Sequence, residues 1–300
     1  MIRTFDEIFK AVENLRRKKT ISVAMADDFS VLSAIKEVDE RGIANALLVG
    51  NADKIKAIAK QIGYAVKNEN IVNVEGDEEV AARAVALVRG GKAEILMKGH
   101  VSTPILMKAV LNKETGLRKD DVLSHVTVAE ASAYPRLILL TDGGLNIQPD
   151  LETKKAILKN VIGVAERLEN PRPNASIICP IENVNPKILE TVDAAELQKL
   201  GEAGEFGDAI VEGPIAMDVA LSRNAAEKKG LVSKVAGETD IFLVPNLTCG
   251  NALIKALILL VGAKVGGVVV GAKVPIILLS RSDKPEEKLN SIAVAILLSE

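Results

Sequence analysis

Tryptophan is absent from the 300 residues, and aromatic side chains make up only 2% of the chain. Platforms that stack bases or sugars need flat rings in number, so the composition argues against a surface of that kind. Cysteine is nearly absent too. Cys179 and Cys249 are too few for a zinc cluster and lie far apart, as expected of reduced thiols in a cytoplasmic protein with no disulfide. The two histidines, His100 and His125, belong to no metal-binding motif such as H-E-x-x-H. Apolar runs fall well short of the ~18–20 residues that a membrane span requires. The segment Met1–Glu7 lacks the basic stretch followed by an apolar one that marks a leader. Neither sign of charge dominates, with Lys+Arg at 38 and Asp+Glu at 40, so no broad field points to nucleic acid or an anionic membrane. Two glycine motifs are missing as well. After the first strand stands Ala26-Asp27-Asp28-Phe29-Ser30 instead of G-x-G-x-x-G, and no G-x-x-x-x-G-K-[ST] occurs, which disfavours a Rossmann dehydrogenase or a P-loop NTPase.

What is present is an ample aliphatic core, with apolar residues at 48% and charged ones at 26%. The first third alternates strand and helix signals. Strands are predicted at Ile21–Met25, Ala44–Val49, Ile71–Val74 and Glu94–Met97, and helices at Ala52–Ile62, at Asp77–Val88 and from Asp27-Asp28 toward Glu40. This βαβ rhythm predicts a mostly parallel sheet. Between the short strands Leu123–Ala129 and Arg136–Leu140 stand only Glu130–Pro135, too few for a crossover helix, so the two are expected to pair antiparallel. The alternation then resumes with a long helix over Leu151–Leu168, a strand Ala175–Cys179, a helix Pro186–Leu200, a short strand Ala209–Val211, a strand Ile241–Val244 and a helix Cys249–Val261. Val268–Leu279 is expected to be a single buried strand. The fold class expected is α/β with two domains and mostly parallel sheets: 1–135 plus 268–300 as the first, and 136–267 inserted as the second.

In open α/β sheets ligands gather outside the carboxyl ends of strands, where helix N-termini present free N–H groups to anions. Four strand-to-helix junctions qualify. After the last strand come Ser280, Arg281, Ser282 and Asp283, with Ser282 or Asp283 expected to cap a helix begun by Pro285. An anion site there and a simple cap beside a solvated arginine are both open readings. Lys98-Gly99-His100-Val101-Ser102-Thr103-Pro104 forms the second junction, with Lys98 and Lys108 as nearby cations. Ser102 or Thr103 could equally be a plain cap. Glu212-Gly213-Pro214 is the third, readable as a ligand-bonding Glu or as a tight turn, and Gly250-Asn251 opens the fourth. No histidine lies near Cys249 in sequence, so that thiol reads as a small buried residue rather than a nucleophile.

These junctions line up with one family. Leu96-Met97-Lys98-Gly99, Leu106–Asn112 with Gly116-Leu117-Arg118, Leu123-Ser124-His125-Val126, Asn146-Ile147-Gln148-Pro149, Val184-Asn185-Pro186-Lys187, Glu212–Asp218, Gly250-Asn251 and Ser280-Arg281-Ser282-Asp283 resemble phosphate acetyl/butyryltransferases over nearly the whole length, nearest the butyryl-type branch. The resemblance implies a fold like that of isocitrate and isopropylmalate dehydrogenases, with the active site in the cleft between the domains of a homodimer or higher homo-oligomer. The implied reaction moves a short acyl group, butyryl favoured and acetyl possible, between coenzyme A and orthophosphate, with no metal and no bound cofactor. It assigns Ser280 and Arg281 to the acyl phosphate, and a base to Glu287 or Asp283. Lys98, Gly99, Ser102, Thr103, Lys108, Glu212, Gly213, Pro214, Gly250 and Asn251 are the implied substrate-binding residues. Lys108 stands where acetyl-type members carry arginine, keeping the charge without the fork. Competing readings are a metal-dependent decarboxylating dehydrogenase of the same fold, a non-catalytic acyl-CoA-binding paralogue, and an acyl-carrier-protein-dependent phosphate acyltransferase.

Overall fold

The computed structural model describes residues 1–120, 122–278 and 284–300. The chain divides into two compact units, one of residues 8–121 with 266–300 and the other of residues 1–7 with 122–265. In the first, β1 (Lys19–Ala24), β2 (Ala44–Gly50), β3 (Ile71–Asn73) and β4 (Ile95–Lys98) alternate with α2 (Phe29–Glu40), α3 (Ala52–Gln61), α4 (Asp77–Arg89) and α5 (Thr103–Val110), after α1 (Phe5–Glu13). The strands read as short apolar runs because helices cover both faces; Ile21, Val23, Leu48, Ile95, Leu96 and Met97 are all fully buried. Strand order is β3-β2-β1-β4-β11-β10, with β10 at Lys264–Val270 and β11 at Ile276–Ile277. All neighbours are parallel except β10 and β11, which are antiparallel.

That last pair corrects the expectation of one strand over Val268–Leu279. Gly271 takes φ +90°, which breaks the run, and its carbonyl accepts from Asp120 N while Lys273 N donates to Leu117 O. Pro275, which has no N–H to give, then leads into the two-residue β11 on β4. α11 (Pro285–Leu298) follows, with Pro285 in the first turn as expected. Its N-cap is Lys284, not Ser282 or Asp283, because proline at the first helical position sets the cap one residue before it.

The second unit holds β5 (Ser124–Glu130), β6 (Ile138–Thr141), β7 (Asn174–Ile178), β8 (Ile210–Ile215) and β9 (Ile241–Leu243) in the order β5-β6-β9-β7-β8. β5 and β6 pair antiparallel, as a link too short for a crossover helix requires, and the other neighbours are parallel. Around them lie α6 (Leu151–Arg167), α7 (Leu189–Glu202), α8 (Met217–Leu221), α9 (Arg223–Lys228) and α10 (Leu247–Ala256), the last running into a wider π-type turn at Leu257–Val261. β8 continues through Gly213 and Pro214, where a turn was expected. It is the edge strand, so proline's missing N–H costs no ladder bond. Among the described residues no helix is long and apolar enough to cross a membrane.

Candidate active site

In the first unit the carboxyl ends of β1 and β4 meet at Gly99. Gly99 N donates to Ala24 O and His100 N to Met25 O, each at 2.8 Å, extending the parallel ladder beyond the strands. A side chain at 99 has no room: its Cβ would strike Met25 O and lie 2.6 Å from Ala24 O. This close approach brings the buried Lys98 to the strand tip, where its ammonium donates to Gly99 O at 3.1 Å. Ser102 caps α5 with extended backbone but makes no side-chain cap bond, leaving an exposed hydroxyl at the helix N-terminus. Beside it Asp28 caps α2 by accepting from Val31 N at 3.0 Å, and its other oxygen stands 3.7 Å from His100 Nδ1.

Lys98, Gly99, Ser102 and Thr103 therefore share one junction. Lys108 faces another way, with its Nζ 3.0 Å from Glu78 on α4, above a groove of about 520 Å³ floored by Ala82, Val85 and Ala109. Ser280, Arg281 and Asp283 lie outside the described residues. Glu287, in the first turn of α11, is half-buried and accepts from Lys284 N at 3.1 Å. β11, which leads toward Ser280, is the direct neighbour of β4, whose end carries Lys98.

The second unit has its own cluster at the carboxyl edge of β6. Asp142, 2% exposed, accepts four hydrogen bonds. Gly144 N and Leu145 N reach Oδ1 at 2.8 and 2.9 Å, while His125 N and Asn146 Nδ2 reach Oδ2 at 3.1 and 2.6 Å. A carboxylate satisfied this fully makes a rigid hub. Gly250 and Asn251 dock α10 against it: a Cβ at 250 would lie 2.8 Å from Asp142 O, and Asn251 Nδ2 is 3.4 Å from Gly143 O. In sequence, Asp142-Gly143-Gly144 reads as a turn. The signal for more was there, since an Asp before two glycines after a buried strand is placed to bond its own following N–H groups.

Glu212 and Gly213 serve β8 from within. Glu212 accepts from Ser233 Oγ at 2.5 Å and Lys234 N at 2.8 Å, and Gly213 N donates to Gln198 at 3.0 Å. Pro214 is buried beside them. Burial pushes the Cys179 thiol up to about 12 and raises that of Cys249, which suits inert thiols. Among the described residues no group of three His, Cys, Asp or Glu side chains is placed to hold a metal ion.

A strand-tip lysine, a helix-cap serine with no side-chain cap bond and a glycine that brings two strand ends together form a junction whose chemistry suits an anion. The chain belongs to the phosphate acetyl/butaryl transferase family, which it matches over residues 3–84 and 78–296. It is 43% identical to the phosphate butyryltransferase of Clostridium acetobutylicum over 299 residues, spanning 100% of this chain and 99% of the relative. A phosphate acetyltransferase of Rhizobium meliloti is 38% identical over 98% of this chain and 92% of its own. Among solved structures, a branched-chain phosphotransacylase from Enterococcus faecalis superposes with a TM-score of 0.82 at 33% identity, covering 94% of this chain and 99% of that one.

Proposed function

We propose that this chain is a transferase that moves a short acyl group reversibly between coenzyme A and orthophosphate, acyl-CoA plus phosphate giving acyl phosphate plus free coenzyme A. The observation that carries this is the full-length 43% identity to a phosphate butyryltransferase, a level at which the whole fold and its junctions correspond. Coenzyme A is a substrate here, not a resident cofactor.

In the direction of acyl-CoA formation the thiolate attacks the carbonyl carbon of the acyl phosphate. A C–S bond forms, the C–O bond to phosphorus breaks, and orthophosphate leaves. The thiol proton passes to a carboxylate, Glu287 or Asp283. Arg281 holds the phosphate by two parallel hydrogen bonds, and Ser280 donates to the carbonyl oxygen as it gains charge, a contribution of about 3 kcal/mol. The adjacency of β4 and β11 supports this reading, because it gives Lys98, Gly99 and Ser102 the neighbouring position to the strand that leads to Ser280. Butyryl is the favoured acyl group and acetyl the second. The protein is read as a cytoplasmic homo-oligomer, with the two free thiols supporting the first part and the successive exposed Leu259, Leu260 and Val261 the second.

The test follows release of coenzyme A from acetyl-, butyryl- and longer acyl-CoA with a thiol reagent, with and without orthophosphate. Phosphate-dependent release is expected, strongest with butyryl-CoA. Folded protein that releases none would end the proposal.

A further inference from the structure

Two consecutive glycines, Gly266 and Gly267, stand in β10, and α11 lies directly on them. A Cβ added at Gly266 would come within 2.8 Å of Asn290 C and 2.9 Å of Ser291 N, so the helix backbone rests against the strand backbone with no side chain between. At the same contact Gly267 N donates to Ser291 Oγ at 2.9 Å, and that hydroxyl donates in turn to Glu287 O at 2.8 Å. Ser291 is buried, and its one hydroxyl both accepts and donates. A strand of the sheet is thereby bonded, through a single side chain, to the first turn of the helix. From Ile292 to Leu297 the helix buries only apolar side chains, whereas this polar link comes one turn after Glu287. Glu287 needs such a link more than the rest of the helix does. A first turn has N–H groups without intrahelical partners and is where a helix frays. A carboxylate takes a proton only from within hydrogen-bond reach, about 2.6–3.2 Å between heavy atoms, and a displacement of ~1 Å can cost about 10²-fold in rate.

We propose that Ser291 is a positioning residue for the reaction: by bonding Gly267 N and Glu287 O it fixes the turn of α11 from which the Glu287 carboxylate receives the thiol proton. The inference rests on the acyltransferase reading with Glu287 as the base, and deepens it. All the groups belong to one compact unit, and residues 278–284 join α11 to β11, the strand laid beside β4 and its Lys98.

The experiment measures kcat and KM for butyryl-CoA in the wild-type protein, Ser291→Ala, Ser291→Thr and Ser291→Val, each well below its thermal midpoint. Threonine and valine share a shape, so crowding by the added methyl cancels between them, and threonine keeps a hydroxyl able to bond the carbonyl four residues back. Ser291→Ala and Ser291→Val are expected to lower kcat about three- to thirtyfold with KM within about twofold, while Ser291→Thr stays within about threefold of the wild type. A bond that only held the fold together would lower the thermal midpoint of Ser291→Ala and leave kcat of the folded enzyme unchanged, and that result would overturn the proposal. A second arm adds Ser291→Ala to Glu287→Gln. Because the serine acts through Glu287, the double variant should turn over within about twofold of Glu287→Gln alone. A full additional fall, or full activity in Glu287→Gln itself, would overturn the assignment. If the threonine and valine variants do not fold, Ser291→Ala and this cycle decide. A wild-type protein without phosphate-dependent release would instead sink the acyltransferase reading, which every other result leaves standing, so the two failures are distinguishable.

Discussion

Gly99→Ala adds one methyl group at the junction of β1 and β4, and the structure sets its cost. The new Cβ would strike Met25 O and lie 2.6 Å from Ala24 O, and both are backbone atoms that no side-chain rotation can move aside. The ends of β1 and β4 must separate, which strains or breaks the bonds from Gly99 N to Ala24 O and from His100 N to Met25 O, each 2.8 Å in the native protein. Overpacking of this kind costs about 1–3 kcal/mol, and each lost backbone bond about 1 kcal/mol more, for a total of about 3–5 kcal/mol. In a unit of about 150 residues that corresponds to a fall in thermal midpoint of roughly 10 °C. With no tryptophan to report unfolding, the assay is far-ultraviolet circular dichroism, paired with acyl-CoA turnover. Turnover should fall as well, because the displaced Gly99 O no longer anchors the Lys98 ammonium. A variant that melts within a degree of the wild type and keeps full activity would refute the claim that this contact is closed to a side chain.

Gly163→Ala should do the opposite: the position is inside α6 with open space around it, so alanine is expected to raise stability by about 1 kcal/mol in urea titration. Asp193→Ala strands the buried Lys154 ammonium, which lies 2.6 Å from the carboxylate, and since Asp193 is itself a quarter exposed the loss should be about 2–3 kcal/mol; a smaller loss than 1 kcal/mol would show that water reaches the lysine. Glu287→Gln keeps an acceptor for Lys284 N and so should melt like the wild type, while kcat falls by about 10²–10⁴ if Glu287 is the base; full activity would transfer that role to Asp283. Burial holds the Cys179 thiol and the Tyr64 and Tyr134 hydroxyls protonated, each with its pKa raised to about 12, so the unfolded chain loses these protons first. Their stabilisation is complete below the ordinary thiol value of 9 and declines as pH rises from there toward 12, and a flat urea midpoint between pH 8 and 11 would contradict this.

Much of this architecture was legible because buried parallel strands are written as apolar runs and their helices as amphipathic ones. Ala44–Gly50 and Ala52–Gln61 come within a residue of their expected limits, and Asn51 between them accepts from Lys54 N as a cap should. The β5–β6 pairing followed from a link too short to hold a helix. Where the reading failed, tertiary context had overridden local chemistry. Gly213-Pro214 signals a turn by itself, yet it lies in β8 because an edge strand needs no N–H there and because only glycine fits at 213, where an added Cβ would lie 2.7 Å from the Cβ of Ile177. Val268–Leu279 looked continuous because its breaking residues, Gly271 and Pro275, are flanked by valines and isoleucines. The Asp142 hub was legible only in part: its bonds to Gly144 N and Leu145 N are those of an Asp opening a turn, whereas the donor His125 N is 17 residues away and no local pattern announces it.

The late place of β11 in the chain constrains synthesis. β4 is complete by Lys98, yet the strand that covers its free edge is not made until Ile276. At about 5–20 residues per second, the ribosome leaves that edge open for roughly 10–35 s while the intervening unit is translated. Throughout that interval β4 presents unpaired backbone groups to any extended segment it meets, the usual route to mispairing between nascent chains. Chains whose synthesis stops inside the second unit would never acquire the closing strand, so chaperone capture and aggregation should concentrate on those truncated products.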